Sequence, residues 1–292
     1  MAGQTFDWLI AAPAWGTRCV DLFIERALPA IRAAREGISG KLRFVVHTDE
    51  PERIEAALGK LEYWLYPVPP GKTPHESFGI AHREAIDLAR QGECIAFINA
   101  DMVASIEVFA AAERRFAAGK RMIMMAASRT LGGVPPIGAK SAELLRWTMQ
   151  HPHPAIMECF WGSGRSRVPW AVYFERDENI VLHGFHLHPF AAMKDRPLRF
   201  QGKTIDVDLA DNYEPDEIHL VTDKDEAAFA EISPPERVFP LGAPLNAAGV
   251  AEWARSHAIP LHRRFFEQPI TITGSSGDHG DREICAKILA AI

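Results

Sequence analysis

The chain is short of the features that mark several protein classes. Its four cysteines (Cys19, Cys94, Cys159, Cys285) stand far apart with no C-x-x-C spacing. That argues against a disulfide framework and against a thiolate zinc site. No apolar run approaches the ~20 residues needed to cross a bilayer. The N-terminus passes directly from Met1 to Asp7-Trp8-Leu9-Ile10-Ala11-Ala12 without a basic segment or a long apolar core, so it reads as a first strand rather than a secretory leader. No G-x-G-x-x-G follows that strand and no G-x-x-x-x-G-K-[ST] occurs anywhere, which removes the main support for dinucleotide and P-loop sites. A strong excess of one charge is also missing: 32 basic residues against 38 acidic leave −6 with histidine neutral. Such a balance leaves no electrostatic footprint for nucleic acid or an anionic membrane. The expectation is a cytoplasmic, reducing-compartment protein with no nucleic-acid partner and no transmembrane segment.

What the chain has in unusual measure is histidine. Of its twelve histidines, His151, His153, His183, His186, His188 and His219 fall in one stretch, and Trp147, Trp161 and Trp170 of its seven tryptophans lie in or beside it. Either a polar aromatic site or ordinary core packing accounts for such a cluster. With 292 residues, 47% hydrophobic and 24% charged, the chain has the size and balance of one α/β enzyme domain rather than a disordered or fibrous protein.

Strand and helix signals alternate through the first half. Buried-strand runs are expected at Trp8–Ala12, Leu42–Val46, Leu61–Tyr66, Cys94–Ile98 and Arg121–Ala126. Between them, Val20, Phe23, Ile24, Ala27, Leu28 and Ile31 keep helical spacing after a Thr17 cap, with a kink expected at Pro29. Further helices are expected from Ser77 to Ala89 and from a Ser105 cap to Gly119. This rhythm predicts a mostly parallel sheet flanked by helices, with ligands beyond the carboxyl ends of its strands. After about residue 130 the rhythm breaks into a Ser141–Met149 helix, two hairpins (170–187 and 198–208), and helices from Asn246 and Asp281.

The run Phe97-Ile98-Asn99-Ala100-Asp101-Met102 places Asp101 just past a buried strand. A carboxylate there either holds a divalent cation or merely caps a turn. The preceding segment, SFGIAHREAIDLARQGECIAFINAD from Ser77 to Asp101, resembles the stretch before the metal site of family 2 and related GT-A glycosyltransferases. In that family a helix of form A-R-N-x-G-I-x-x-A leads through a glycine to a strand ending in D-x-D. The resemblance covers about the first 130 residues. It implies a GT-A-like, Rossmann-like α/β fold with a nucleotide-sugar-binding half (1–130) and an acceptor-binding half with C-terminal helices (131–292), all in one domain. It also implies binding of a nucleotide-diphosphate sugar by Pro13, Trp15, Asp49, Arg83, Asn99 and Asp101. Two departures stand out: Asn99 replaces the first acid of D-x-D, and His82-Arg83 replaces Arg-Asn.

In Leu182-His183-Gly184-Phe185-His186-Leu187-His188, an extended chain puts His186 and His188 on one face. With Asp101 they are candidate ligands for Mn²⁺ or Mg²⁺, the alternative being packing around an acceptor pocket. Asp206 and Asp208, with Glu158 as a rival, are candidate general bases. Trp161 and Trp170 are candidate platforms for an acceptor sugar, and Arg165 and Arg167 candidate partners for a diphosphate. The expected function is transfer of a sugar from a nucleotide-diphosphate donor to a hydroxyl of a bacterial-type surface glycan or glycoconjugate. Two alternatives stand beside it: a metal-dependent hydrolase built on His183, His186 and His188, and a non-catalytic binding domain.

Overall fold

The computed structural model describes residues 4–71, 73–131, 133–168, 170–200, 208–234, 243–275 and 281–292. In chain order the strands are β1 Trp8–Pro13, β2 Leu42–His47, β3 Glu62–Tyr66, β4 Cys94–Phe97, β5 Met102–Ala104, β6 Met122–Met125, β7 Ala127–Thr130 and β8 Arg165–Ser166. They continue as β9 Ala171–Arg176, β10 Asn179–Gly184, β11 His188–Met193, β12 Ile218–Leu220, β13 Phe229–Ile232, β14 Ala243–Pro244 and β15 Ile270–Thr273. The chain forms two compact units. The first takes residues 1–125, 137–139 and 188–219; the second takes 126–136, 140–187 and 220–292. The chain leaves the first unit after residue 125 and returns to it over 137–139 and 188–219.

The first unit is a mixed α/β sheet of order β12-β6-β11-β4-β1-β2-β3. β1 runs parallel to both β2 and β4, and β2 parallel to β3. All six residues of β1 and of β2 are buried, β1 as a continuous apolar run and β2 with Arg43 and His47 buried among its apolar residues. Trp8 fills the space beneath, fully buried against Phe109 (ring centroids 5.0 Å apart), with its indole N–H donated to Glu113 at 2.9 Å. The helical run after β1 follows the expected spacing. Its kink takes the form of a π-helical segment, Phe23–Ala27, ahead of Pro29 in the next turn. A π bulge absorbs the hydrogen bond that proline cannot make.

Two local expectations are corrected. The Pro74–Leu88 helix is capped by Thr73, whose hydroxyl accepts the Glu76 amide, rather than by Ser77. Ser77 instead donates its hydroxyl to the Pro69 carbonyl at 3.0 Å. The expected first hairpin forms as the antiparallel pair β9–β10, ending at Gly184, and β11 follows it antiparallel between β4 and β6. The strand half of the expected second hairpin, Thr204-Ile205-Asp206-Val207, lies outside the described residues, and Leu198–Phe200 is not a strand.

The second unit holds the antiparallel sheet β15-β10-β9 and the parallel pair β7–β13. Its core joins Val172, Phe174 and Phe185 to Val250, Ala254 and Phe266 and to Ile288 of the last helix. The Ala247–His257 helix starts where Asn246 accepts the Gly249 amide at 2.9 Å, as its sequence predicts. Among the described residues no helix is long and apolar enough to cross a membrane.

Candidate functional site

In the first unit the chain leaves β1 toward β2 and β3 on one side and later returns to place β4 on the other. The carboxyl ends of β1 and β4 therefore flank a switch point, where neighbouring loops diverge and leave a crevice. Pro13 ends β1, buried and paired with His47, and Trp15 follows it half-buried against Phe78 at 4.6 Å between ring centroids. Gly16 has φ +72°, a conformation that favours glycine. That turn aims its amide at Asp49, whose two carboxylate oxygens accept it at 2.9 and 3.1 Å. Asp49 thus binds the β1 loop to the loop after β2.

Asp101 reaches the same place. Burial raises the pKa of the Cys19 thiol, and the negative charges of Asp101 and Asp49 raise it further while Arg18 lowers it. Pro13 and Trp15 thus lie at the carboxyl end of β1 and Asp49 beyond that of β2, while Asp101 follows the neighbouring β4. Asn99, half-buried beside them, has its Oδ1 enclosed with no hydrogen-bond partner. Arg83 is exposed on the Pro74–Leu88 helix, whereas its neighbour His82 faces inward and is buried. The sequence assigned the contact to Arg83. Helical spacing of Phe78, His82, Ala85 and Ile86 was the signal that the inward residue is His82.

Two more histidines surround that position. His47 Nε2 lies 2.6 Å from Glu84 Oε2, and burial holds His47 below its ordinary pKa despite that carboxylate. His188 opens β11 with Nε2 2.7 Å from the Phe97 carbonyl. Asp208 stands half-buried just ahead of the Ala210–Asn212 turn, its carbonyl accepting from Asn212 at 3.0 Å. Asp206 lies outside the described residues.

The histidine triplet is not one strand face. β10 ends at Gly184 and β11 begins at His188, so His186 sits in the bend between them. His186 belongs to the second unit and His188 to the first. His183 is buried with Nδ1 2.7 Å from the Phe266 carbonyl and Nε2 2.8 Å from Asp281. Both ring nitrogens are thereby engaged by protein. Among the described residues no three His, Cys, Asp or Glu side chains form a group able to hold a metal. The Asp101, His186 and His188 set expected from the sequence is no such group, and His183, expected in the hydrolase with His186 and His188, has both ring nitrogens taken by Phe266 and Asp281. At the sheet edge Asn99 brings an amide oxygen, a neutral oxygen donor, where the D-x-D pattern has a carboxylate.

In the second unit, Glu158 is paired with Arg167, whose Nε lies 2.8 Å from Oε2. That guanidinium holds the Glu158 carboxyl below its usual range, which weakens it as a proton acceptor. Arg167 is likewise committed, while Arg165 is exposed. Trp161 stacks on Phe174 at 5.5 Å and Trp170 leans on Trp253 at 6.0 Å, both packed against the second unit's core. Trp253, one turn before His257 on its helix and stacked on it at 4.9 Å, was not anticipated. A cleft of about 280 Å³ lined by Thr5, Asp7, Arg90, Gln91, Gly92 and Glu93 opens at the other, amino, end of β1 and β4. It lies at the opposite end of these strands from Trp15, Asp49 and Asp101, and Glu93 there is already held by Arg43 at 2.8 Å.

No protein-family model and no curated protein matches the chain. Partial likenesses to solved structures exist. A crystal structure of S. aureus TarS 1–349 is similar at 16% identity and TM-score 0.33, over 45% of this chain and 39% of that one. A 4-diphosphocytidyl-2C-methyl-D-erythritol synthase from Anaerococcus prevotii DSM 20548 is similar at 15% identity and TM-score 0.32, over 42% of this chain and 56% of that one. The chain thus spans less than two thirds of either. The class its own geometry defines is an α/β protein with a mostly parallel sheet flanked by helices.

Proposed function

We propose that the protein is a glycosyltransferase that holds a nucleotide-diphosphate sugar at the carboxyl edge of the first unit's sheet. The observation that supports this reading is the position of Trp15, Asp49 and Asp101 just beyond the carboxyl ends of the adjoining strands β1, β2 and β4. In this reading Trp15 offers a face for the base to stack on. Asp49 keeps the Gly16 turn in place and presents its remaining acceptor capacity toward ribose. Charge on the diphosphate is met by Arg83, which is exposed on the adjoining helix. In this reading Asp208 is the base that takes the proton of an acceptor hydroxyl as its oxygen bonds the anomeric carbon and the nucleoside diphosphate departs with the electrons of the broken C1–O bond. The acceptor in this reading is a glycan or glycoconjugate of the bacterial cell surface, and the reaction belongs to the cytoplasm.

A melting-point screen of UDP-, GDP- and dTDP-sugars, with and without Mn²⁺, tests the proposal. A bound donor raises the melting point by mass action, and Asp101→Ala abolishes that rise while leaving the unliganded melting point within a few degrees. Absence of binding to every nucleotide sugar, with or without Mn²⁺, by titration calorimetry overturns it.

A further inference from the structure

β3 is an open edge of the first unit's sheet. Among the described residues it pairs with β2 alone, as the last strand in the order β12-β6-β11-β4-β1-β2-β3. An edge strand carries unpaired amides and carbonyls, and proteins blunt such edges with lysine, proline, a bulge or a very short strand. The opposite edge follows that rule, since β12 has only three residues. β3 has five, Glu62-Tyr63-Trp64-Leu65-Tyr66, with no lysine or proline among them and no break in its register with β2. Glu62 is exposed, and the four residues after it are only half-buried.

The ladder fixes which backbone groups are left over. Thr48 donates its amide to the Tyr66 carbonyl at 2.9 Å, and the register pairs His47 with Tyr66. Successive residues of a strand turn their amides and carbonyls to alternate sides, so those of Trp64 and Tyr66 point to β2 and those of Tyr63 and Leu65 point outward. That edge is complementary to itself. An antiparallel copy related by a two-fold axis at Trp64 sets each Tyr63 opposite a Leu65, a pair that exchanges both N–H···O bonds. The two Trp64 residues then form the close, non-hydrogen-bonded pair on the axis, about 4.5 Å apart at Cα. Neighbouring registers lose bonds. Centring on Leu65 opposes Tyr63 to Pro67, which has no amide hydrogen. Centring on Tyr63 opposes Leu65 to Leu61, whose amide is already donated to the Leu58 carbonyl at 3.3 Å.

The side chains agree with this pairing. The Arg43 guanidinium lies 4.7 Å from the Trp64 ring centre, Tyr63 donates its hydroxyl to Glu55 at 2.6 Å, and Tyr66 stacks on His47 at 5.4 Å. These rings are held by their own chain, so little further ordering is needed when two edges meet. The one charge on β3, Glu62, has Arg43 and Arg90 at 3.9 Å. Across the axis it faces Tyr66 of the second copy, so no like charges meet.

We propose that two copies of this chain associate edge to edge through β3, antiparallel about Trp64, into one continuous sheet. The pairing is short, which makes the dimer a weak one, and it does not depend on the activity proposed above.

Sedimentation velocity on the full chain from about 1 to 200 µM tests the proposal, with monomer expected at the low end and dimer at the high end. Leu65→Pro removes an outward amide and spares the bonds to β2, and is expected to move dimerisation to at least tenfold higher concentration. Trp64→Glu, which sets two carboxylates face to face on the axis, is the second variant if Leu65→Pro does not fold. Cross-linking reads the register. In a Cys19→Ser background, the other three cysteines being buried, Trp64→Cys is expected to form a disulfide dimer with oxidised glutathione. Glu62→Cys is expected to form it at least tenfold more slowly, because its two copies stand roughly 13 Å apart along the strands. A chain monomeric throughout overturns the proposal and leaves the edge to a strand of another protein. A dimer undiminished in the folded variant, or equal cross-linking at the two positions, overturns it as well and places any association on another surface.

Discussion

His183 and Asp281 are joined side chain to side chain at 2.8 Å across 98 residues of sequence, and both are buried. The other ring nitrogen faces the Phe266 carbonyl at 2.7 Å. Both ring nitrogens therefore face oxygen acceptors, one from the backbone and one from a carboxylate. The pair pins the first turn of the Asp281–Ala290 helix to β10. Removing one partner of a buried pair strands the other, at a cost of about 3–5 kcal/mol. Asp281→Ala is expected to lose stability on that scale in urea denaturation, and to speed hydrogen exchange across residues 281–290. The double variant His183→Leu, Asp281→Leu should be less destabilised than Asp281→Ala, because neither ionisable side chain is left buried without the other, only the Phe266 carbonyl losing a partner. A double variant as unstable as the sum of the singles counts against the pair.

The Gly16–Asp49 contact predicts a smaller effect. A hydrogen bond to a charged acceptor is worth roughly 1.5–3 kcal/mol when shielded, and less at an exposed position such as this one. Asp49→Ala is expected to lose about 1 kcal/mol and to weaken any ligand held by the β1 loop, whereas Asp49→Asn keeps one acceptor and most of the stability. Equal losses in both, measured by thermal unfolding, would show that the Gly16 amide does not depend on this acceptor.

His82 makes acid stability a direct readout. Its folded value of about 3 lies below the ordinary 6.5, so the unfolded chain binds a proton first as pH falls. The contribution is fully present above pH 6.5 and is lost between pH 6.5 and 3, at up to about 1.4 kcal/mol per pH unit. His47, depressed in the same direction by burial, adds to the slope. Denaturant titrations at pH 7.5, 6.0 and 5.0 should show a shallower acid loss in His82→Leu than in the unsubstituted protein. Parallel pH curves for the two proteins refute the assignment.

Glu158 makes a negative prediction. Its carboxylate is taken up by Arg167 and held below its usual range, so Glu158→Gln should leave a transfer rate within about threefold of the original. Asp208→Asn, by contrast, should lower the rate by 10²–10⁴, the usual worth of general base catalysis. A rate collapse in Glu158→Gln with unchanged melting point reverses these two roles.

The sheet was largely legible because its information is local. The runs at Trp8, Leu42, Leu61, Cys94 and Arg121 became β1, β2, β3, β4 and β6, and Asn246 capped the helix it was expected to cap. β11 was not legible. Pro189 argued against an interior strand, and the structure accommodates it at an irregularity in the ladder with β6 between Pro189 and Ala191. At the site, Asp101 was legible from its place just past a strand, and Trp15, Asp49 and Arg83 only through the family resemblance; the burial of His82 was not anticipated.

By itself, then, the sequence determined an α/β sheet with acids and an aromatic ring at its carboxyl edge, because periodic burial and strand-end position are written within a few residues. Only the tertiary structure decided what each histidine does. His183 meets Asp281 across 98 residues, His188 meets Phe97 across 91, and His82 meets no partner at all. A histidine's chemistry is set by the atoms packed around its ring, and those atoms come from distant parts of the chain.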